Sequence, residues 1–530
     1  MKRIAFLVLF LAVTVGFART ELLAVDDQYY PIMKGDEDMR SMESDKNMVS
    51  SGFQYGAWIT PVIIYQNSRN NETVTSVDTF RVWLKSYLWN NSYIYARAKD
   101  TYTSVIYDKN FSPEQKKQRK IESYLYLLTG DPSAAAITYK GPGRAKDKNV
   151  ADLDLGYIAM ATPRKEFTLT VGRKYFVLGS GTLLDGRGDG AEIDVNTKYL
   201  NIQALGSWTG WLTKDDNPYY LSDRDISTGA KRVFAGGKLS TSWFNQTLYA
   251  FGLAQFDFGK EQYDFNKFLY YALPPTTNAA GMQYYNTRTR YQSQYYGAGL
   301  DGVIASGLTY SGEFIAETGK SYSYDPLLVN IRSLKDVLAF GGIAKVEYYL
   351  NVMLKPVFNV QYAYGSGDTN RDDYRAPTGN HYGKDTGFIY FGTFVGGYAL
   401  KPVLGNLHVI SASAAFSPFS WSDVYSAKNM TLIARYLYYM KNKAQAAIDD
   451  GLDATKANRD VGHGVDVSLR WQIFSDFSFF TNYGLFLPGK AFGSSYRLQY
   501  TLTSTQPQWV PYHSSTKDRH FVMVGLNVSF

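Results

Sequence analysis

The chain has 530 residues and no cysteine, with 55 Lys plus Arg against 48 Asp plus Glu, a formal charge of +7. The missing thiols exclude a disulfide framework, a cysteine nucleophile and Cys-ligated zinc or iron–sulfur. With 45 Tyr, 31 Phe, 9 Trp and 46 Gly and no break in composition, the chain reads as one long all-β unit, not as the several domains usual at this length.

Lys2 and Arg3 lead into the apolar run 4–15, and the small-residue step Gly16-Phe17-Ala18 follows. This predicts a secretory signal peptide over 1–18. Residues 19–50 hold eight acids against four bases with little alternation. They read as an acidic periplasmic N-terminal extension. That leaves 51–530 as a barrel domain more basic than the whole chain. No apolar run of about 20 residues follows the N-terminus, so a helical span is not expected.

From there the apolar period is two. Phe80, Val82, Leu84 and Leu88 share one face; Arg81, Trp83, Lys85 and Tyr87 share the other. After the turn residues Asn90-Asn91, Ile94, Ala96 and Ala98 alternate with Tyr93, Tyr95, Arg97 and Lys99. The same alternation returns over 167–171, 358–364 and 465–473, and a further strand is expected over 477–487. It ends with Val522, Val524, Leu526, Val528 and Phe530 opposite Met523, Gly525, Asn527 and Ser529. Strands with lipid on one face and a polar lumen on the other need this pattern. The prediction is a transmembrane antiparallel β-barrel of about 16 to 20 strands, even in number. Short periplasmic turns fall at 90–91, 162–166, 306–307 and 475–476. Long extracellular loops fall at 101–150, 208–230, 258–290, 365–387, 441–463 and 488–519. Short helices are expected inside two of those loops, from Ser112-Pro113-Glu114 onward and over 444–457. The location implied is the outer membrane of a Gram-negative-type bacterium. The partners are outer-membrane lipid and the barrel-assembly machinery, the latter through the terminal strand ending at Phe530.

Three segments resemble the alginate export family of outer-membrane barrels. One is Val171-Gly172-Arg173-Lys174-Tyr175-Phe176 with Leu184-Asp185-Gly186-Arg187. The second is Tyr364-Gly365-Ser366-Gly367-Asp368-Thr369-Asn370-Arg371-Asp372. The third is Gly464-Val465-Asp466-Val467 with the run from Tyr483-Gly484 to Leu487-Pro488-Gly489-Lys490-Ala491-Phe492. The resemblance covers, in patches, the last two-thirds of the chain. It implies an 18-stranded monomeric barrel with a basic lumen that passes an anionic polyuronate, with periplasmic export components as possible partners. Asp466 stands where the family often has Glu.

The expected site is the cationic face of the strands. Alternation places Arg81, Lys85, Arg97, Lys99, Arg435 and Arg470 in the lumen, and the motif adds Arg173 and Arg187. Such cations lower the barrier to an anion, and Arg pairs bidentately with a carboxylate. Trp83, Tyr93 and Tyr95 supply rings for a saccharide to stack on. The plainer reading is a structural ladder in which the cations pair with Asp154, Glu313, Glu317, Glu347 or Asp466. Asp368, Asn370 and Asp372 have the spacing of a calcium loop's first ligands but lack its glycine and closing glutamate. At most a loose Ca2+ site in an outer loop is expected, and no other cofactor. Arg187-Gly188-Asp189 spells an adhesion tripeptide, a three-residue match of little weight. Among the five histidines, His513-Ser514-Ser515 is the nearest approach to a hydrolase pair, with no evident third member, so no enzyme and no nucleic-acid partner is expected. A general porin without sugar preference and a plugged surface-binding barrel acting through its loops are the rival readings.

Overall fold

The computed structural model describes residues 52–530 except 69–70, 90, 109–146, 222–224, 226–227, 260–289, 325–331, 372–382, 447, 449–456, 500–507 and 514–515. The signal peptide, the acidic extension, the helix starting at Ser112, Asp372 and Ser515 lie outside the described residues.

Alternation of apolar and polar residues produces strands whose apolar faces point to lipid. Eighteen such strands form one antiparallel sheet. In chain order the first nine are β1 (Phe53–Ser68), β2 (Asn71–Tyr87), β3 (Tyr93–Asp108), β4 (Lys148–Ala161), β5 (Phe167–Leu178), β6 (Leu184–Asn196), β7 (Asn201–Trp208), β8 (Arg232–Trp243) and β9 (Gln246–Asp257). The rest are β10 (Arg290–Ala305), β11 (Leu308–Tyr324), β12 (Arg332–Tyr349), β13 (Val357–Gly365), β14 (Leu407–Phe416), β15 (Met430–Lys441), β16 (Asp460–Phe474), β17 (Phe477–Pro488) and β20 (Arg519–Ser529). Between β17 and β20 a separate hairpin, β18 (Ser494–Gln499) and β19 (Gln508–His513), stands outside the barrel sheet. Each barrel strand pairs with its neighbour in sequence, and β1 also pairs with β20, which closes the ring. Phe530 completes the seam by exchanging backbone hydrogen bonds with Ala57. Closure leaves no sheet edge, which a backbone in hydrocarbon requires.

The predicted faces hold. Phe80, Val82, Leu84, Phe358, Val360, Val465, Val467 and Val524 are exposed on the lipid side, whereas Met523 and Phe521 are buried inside. The four predicted short turns lie at one end together with the start of β1 and the end of β20, which makes that end periplasmic. One connection at this end, between β14 and β15, carries a four-residue helix, α1 (Tyr425–Lys428). The first loop is shorter than expected, because β3 runs to Asp108 and β4 starts at Lys148. Of the 444–457 segment, 444–445 form a turn, and 447 and 449–456, on which the expected helix mostly falls, lie outside the described residues.

Two connections at the outer end turn inward, and one of them falls on the predicted extracellular loop 365–387. Beyond Arg173 and Asp189 the β5–β6 hairpin keeps its own ladder up to Leu178 and Leu184 but no longer pairs with β4 or β7. Its tip reaches the wall at β11, where Ser180 donates through N and Oγ to the Glu313 carboxylate at 2.6 and 2.8 Å. The connection between β13 and β14 runs over 366–406, longer than the predicted 365–387, and its described part from 383 onward lies against this hairpin: Leu184 bridges Phe391, and Thr393 N donates to the Gly181 carbonyl. Phe176, Leu178, Leu183, Leu184, Phe388 and Phe391 are buried together with inward residues of β8 to β12. Apolar content at inward positions is what draws both segments off the surface.

A lipid-facing charge near the bilayer midplane should cost about 2–4 kcal/mol. Val467→Arg is expected to lower the urea midpoint of refolding into lipid vesicles, followed by tryptophan fluorescence, whereas Val467→Leu leaves it in place.

Candidate functional site in the lumen

The centre of the site is a bulge. Between Arg97 and Ala98 the β3–β4 register slips by one residue, which turns Asp154 inward beside Leu155. Asp154 is fully buried and accepts from Arg97 Nε at 2.6 Å and from Arg187 Nη1 at 2.7 Å, with Arg81 Nε at 3.5 Å. Arg187 comes from the inserted hairpin and continues to Asp216, in the connection between β7 and β8, which it meets through both side chain and carbonyl. Lys99 reaches the same Asp216 carboxylate at 2.7 Å. Burial pushes the Asp216 carboxyl up, but Arg187 and Lys99 outweigh it and hold it below the ordinary carboxylate range. Arg173 forks onto Asp189 at 2.8 and 3.1 Å and touches Asp152 at 3.2 Å. Five cations thus meet four carboxylates, a ladder of pairs in which Asp154 is the one expected acid and Asp152, Asp189 and Asp216 are others.

Arg173 and Arg187 occupy strand positions whose parity points to lipid, and they reach the network because the hairpin has left the wall. Two glycines permit that departure. A Cβ on Gly172, at φ +133°, would sit 2.3 Å from the Gly156 carbonyl oxygen, and one on Gly190 would run into the Gly206 carbonyl. Arg187 is also too buried to present an adhesion tripeptide.

Below the network an aromatic ladder continues towards the periplasmic end. Trp83 stacks on Tyr95 with centroids 6.1 Å apart, Tyr95 meets Tyr157 at 5.4 Å, and Tyr157 meets Tyr93 at 6.1 Å. Gly56 leaves room for the Trp83 indole, which a Cβ would approach to 2.8 Å. Tyr95 itself is only 4% exposed, so it backs the ladder and Trp83, Tyr93 and Tyr157 present its open faces. Lys85 lies over Tyr93 at 4.4 Å and Tyr87 at 5.2 Å. Trp58, from β1, lies within 6 Å of both the Arg81 and Arg97 guanidinium groups.

On the far wall Arg435 pairs with Asp466 at 2.6 Å, and Asp466 also accepts from Tyr398 N of the inserted loop at 3.2 Å. Gly484 makes that berth, since its Cβ would collide with Tyr398. Glu317 accepts from Tyr291, Tyr295 and the Ile389 N–H. Arg371 and Asp385 close the loop on itself with a buried two-point bond at 2.8 and 2.9 Å. Lys401 of the same loop donates to Gln66 and lies 3.9 Å from the Phe521 ring; burial pushes its ammonium well below the usual lysine range. Arg470 faces inward, exposed, with no ion pair among the described residues. The predicted cations therefore divide into clamped groups (Arg97, Lys99, Arg173, Arg187 and, less tightly, Arg81 and Arg435) and open ones (Lys85 and Arg470).

Asp368 serves the loop, while Asp372, the third residue of the expected calcium spacing, lies outside the described residues. Asp368 accepts from Asn370 N at 2.7 Å and from Thr386 N at 2.8 Å, and among the described residues no acidic or histidine cluster suits a metal. The parts that sequence reading missed are Asp152, Asp216, Trp58 and Tyr157. Tyr157 carried a signal, being an aromatic four residues before the Ala161 end of β4 and next to the lipid-facing Ile158; Asp216 carried none, because its place depends on a loop fold.

Solved outer-membrane proteins resemble the barrel. OccK11 (OpdR) of Pseudomonas aeruginosa shares 11% identity with a TM-score of 0.46 over 91% of this chain and 98% of its own. OccAB1 of Acinetobacter baumannii shares 8% at 0.48 over 90% and 96%. The outer membrane protein OpdK of Pseudomonas aeruginosa shares 10% at 0.42 over 90% and 99%. No curated protein gives a significant match. The family model described as alginate export matches residues 252–499, just under half of the chain, and takes in the second and third motifs, so over that stretch the chain is similar to the alginate export family; with the closed 18-stranded barrel this supports an outer-membrane channel.

Proposed function

We propose that the channel passes an anionic saccharide, a uronate oligomer or related sugar acid, by passive diffusion along the β2–β4 wall. The observation that carries this reading is the adjacency of cations and stacking rings on one wall: Lys85 over Tyr93, beside Tyr157 and Trp83, below the arginine network. Rings of sugars stack on such aromatic faces, and their carboxylates exchange water for Lys85 and the partly open Arg81 on this wall and for the partly open Arg435 and the exposed Arg470 on β15 and β16. The clamped cations Arg97, Lys99 and Arg187 act through position. They hold the inserted hairpin in the lumen and give it a slight positive balance. The exposed ring of Phe530 is read as the signal for barrel assembly, and the periplasmic mouth as the place where export components would deliver cargo. The inserted 366–406 loop favours a second reading, a barrel closed at rest that acts through its outer loops.

Planar-bilayer recording separates these. The proposed function predicts an anion-selective reversal potential across a salt gradient and block by an oligouronate but not by a neutral oligosaccharide. Unselective conductance indifferent to both sugars would leave a general porin, and no conductance from the folded barrel would leave the closed reading. Lys85→Gln with Arg470→Gln should weaken uronate block by about tenfold, the loss of one or two charge-assisted contacts, without moving the thermal midpoint.

Asp154→Asn should do the reverse. It removes the buried carboxylate to which Arg97 and Arg187 both donate, costing about 3–5 kcal/mol of stability, and shifts the reversal potential further towards anions. An unchanged reversal potential in a folded Asp154→Asn barrel would show that the network does not set selectivity.

A further inference from the structure

Three histidines have described side chains, His408, His463 and His520, and each makes the same contact on the lipid-facing surface. Their Nδ1 atoms meet the hydroxyls of Tyr362, Tyr436 and Tyr483 at 2.7, 2.7 and 3.0 Å. Each tyrosine stands on the preceding barrel strand, two residues before the residue directly opposite the histidine, which is Tyr364, Tyr438 or Leu485. The rings of Tyr364 and Tyr438 pack on the imidazoles at 4.9 Å. One polar rung therefore recurs on three successive hairpins, β13–β14, β15–β16 and β17–β20, close to the outer ends of the strands. Polar groups on a lipid-facing wall need polar neighbours.

Height identifies the neighbour. From His520 to Phe530 the chain spans roughly 25 Å along the barrel axis, at about 3.3 Å per residue and about 40° of tilt. Phe530 and Phe474 are exposed at the periplasmic end, so the histidine row falls at the opposite edge of the apolar band, where the outer leaflet's headgroups begin. A tyrosine hydroxyl that donates to Nδ1 leaves the proton on Nε2. Among the described residues neither His463 nor His520 has a protein partner at Nε2; His408 Nε2 lies 3.4 Å from Asn442 Nδ2. Just beyond the rungs, Arg459, Lys490 and Lys517 are exposed in the connections, against the exposed Asp518.

We propose that this row binds the phosphate groups of an outer-leaflet glycolipid: the Nε2–H groups of His463 and His520 donate to phosphate oxygens, His408 flanks them, and Arg459, Lys490 and Lys517 supply the charge. Neighbouring rungs stand two strands, about 10 Å, apart, and the site covers only the β13–β20 side. The barrel therefore has a lipid-binding flank independent of its lumen.

The test uses the purified full chain in detergent and native mass spectrometry with bisphosphorylated lipid A, the same lipid dephosphorylated, and inorganic phosphate as competitor. Retention of the phosphorylated lipid about tenfold above the dephosphorylated form, the difference expected for two charge-assisted hydrogen bonds, supports the site. Equal retention of the two lipids by the wild-type barrel overturns it, as does displacement of the lipid by millimolar free phosphate, which would mean a simple anion site. His463→Phe with His520→Phe keeps the aromatic packing and removes both donors. A folded double variant, recognised by its heat-modifiable gel mobility, should lose the phosphate preference, and retention of that preference overturns the assignment. Should the double variant not fold, the wild-type comparison of the two lipids still decides.

Discussion

The carboxylate of Asp154 is the point on which the lumen's architecture turns. Taking one carboxylate and the Arg97 and Arg187 guanidinium groups out of water is costly, and it succeeds only when each charge finds a partner at good geometry. The arginines come from separate places: Arg81 and Arg97 from the wall, and Arg187 from a hairpin that has left it. Burying the charge therefore requires the hairpin to be inside. The same arginine passes the constraint on to Asp216, so the connection between β7 and β8 is fastened to the wall as well.

Glycines and acids at other positions repeat this logic. Gly172 and Gly190 let the hairpin leave; Glu313 receives its tip. Gly365 lies where the second inserted segment leaves β13, Asp385 and Glu317 hold its middle, and Asp466 with Gly484 receives its far part. The three stretches that resemble the alginate export family fall at these places. In this chain they are the joints of the lumen's filling, and Arg435, Asp466 and Arg187 serve those joints before they serve any solute.

Function follows from what the joints leave open. A buried, nearly neutralised network sets a fixed field and a fixed shape, and exposed groups beside it meet the solute. On this wall the groups left partly open are Trp83, Tyr93, Tyr157 and Lys85, all half-buried, near the periplasmic mouth. That division explains why the most obvious cations of the sequence, Arg97 and Lys99, are poor candidates for direct contact although they lie on the expected face.

The amino-acid sequence by itself determined the barrel. A period of two with lipid on one side is a local property, so the faces of β2, β3, β16 and β20, the short turns and the inward direction of Arg97, Lys99 and Arg435 were all legible from alternation. Of the five acids expected to pair with these cations, Asp154 and Asp466 do so, whereas Glu313, Glu317 and Glu347 bind other groups and Asp152, Asp189 and Asp216 take their place. Only tertiary structure decided that the β5–β6 hairpin and the 366–406 loop lie inside, because a loop's side of the sheet is set by where its apolar residues find cover, and no local period records that. For the same reason the roles of Arg173 and Arg187 escaped alternation: their strand positions point to lipid, and the bend at two glycines, with the charges waiting across the lumen, turns them inward.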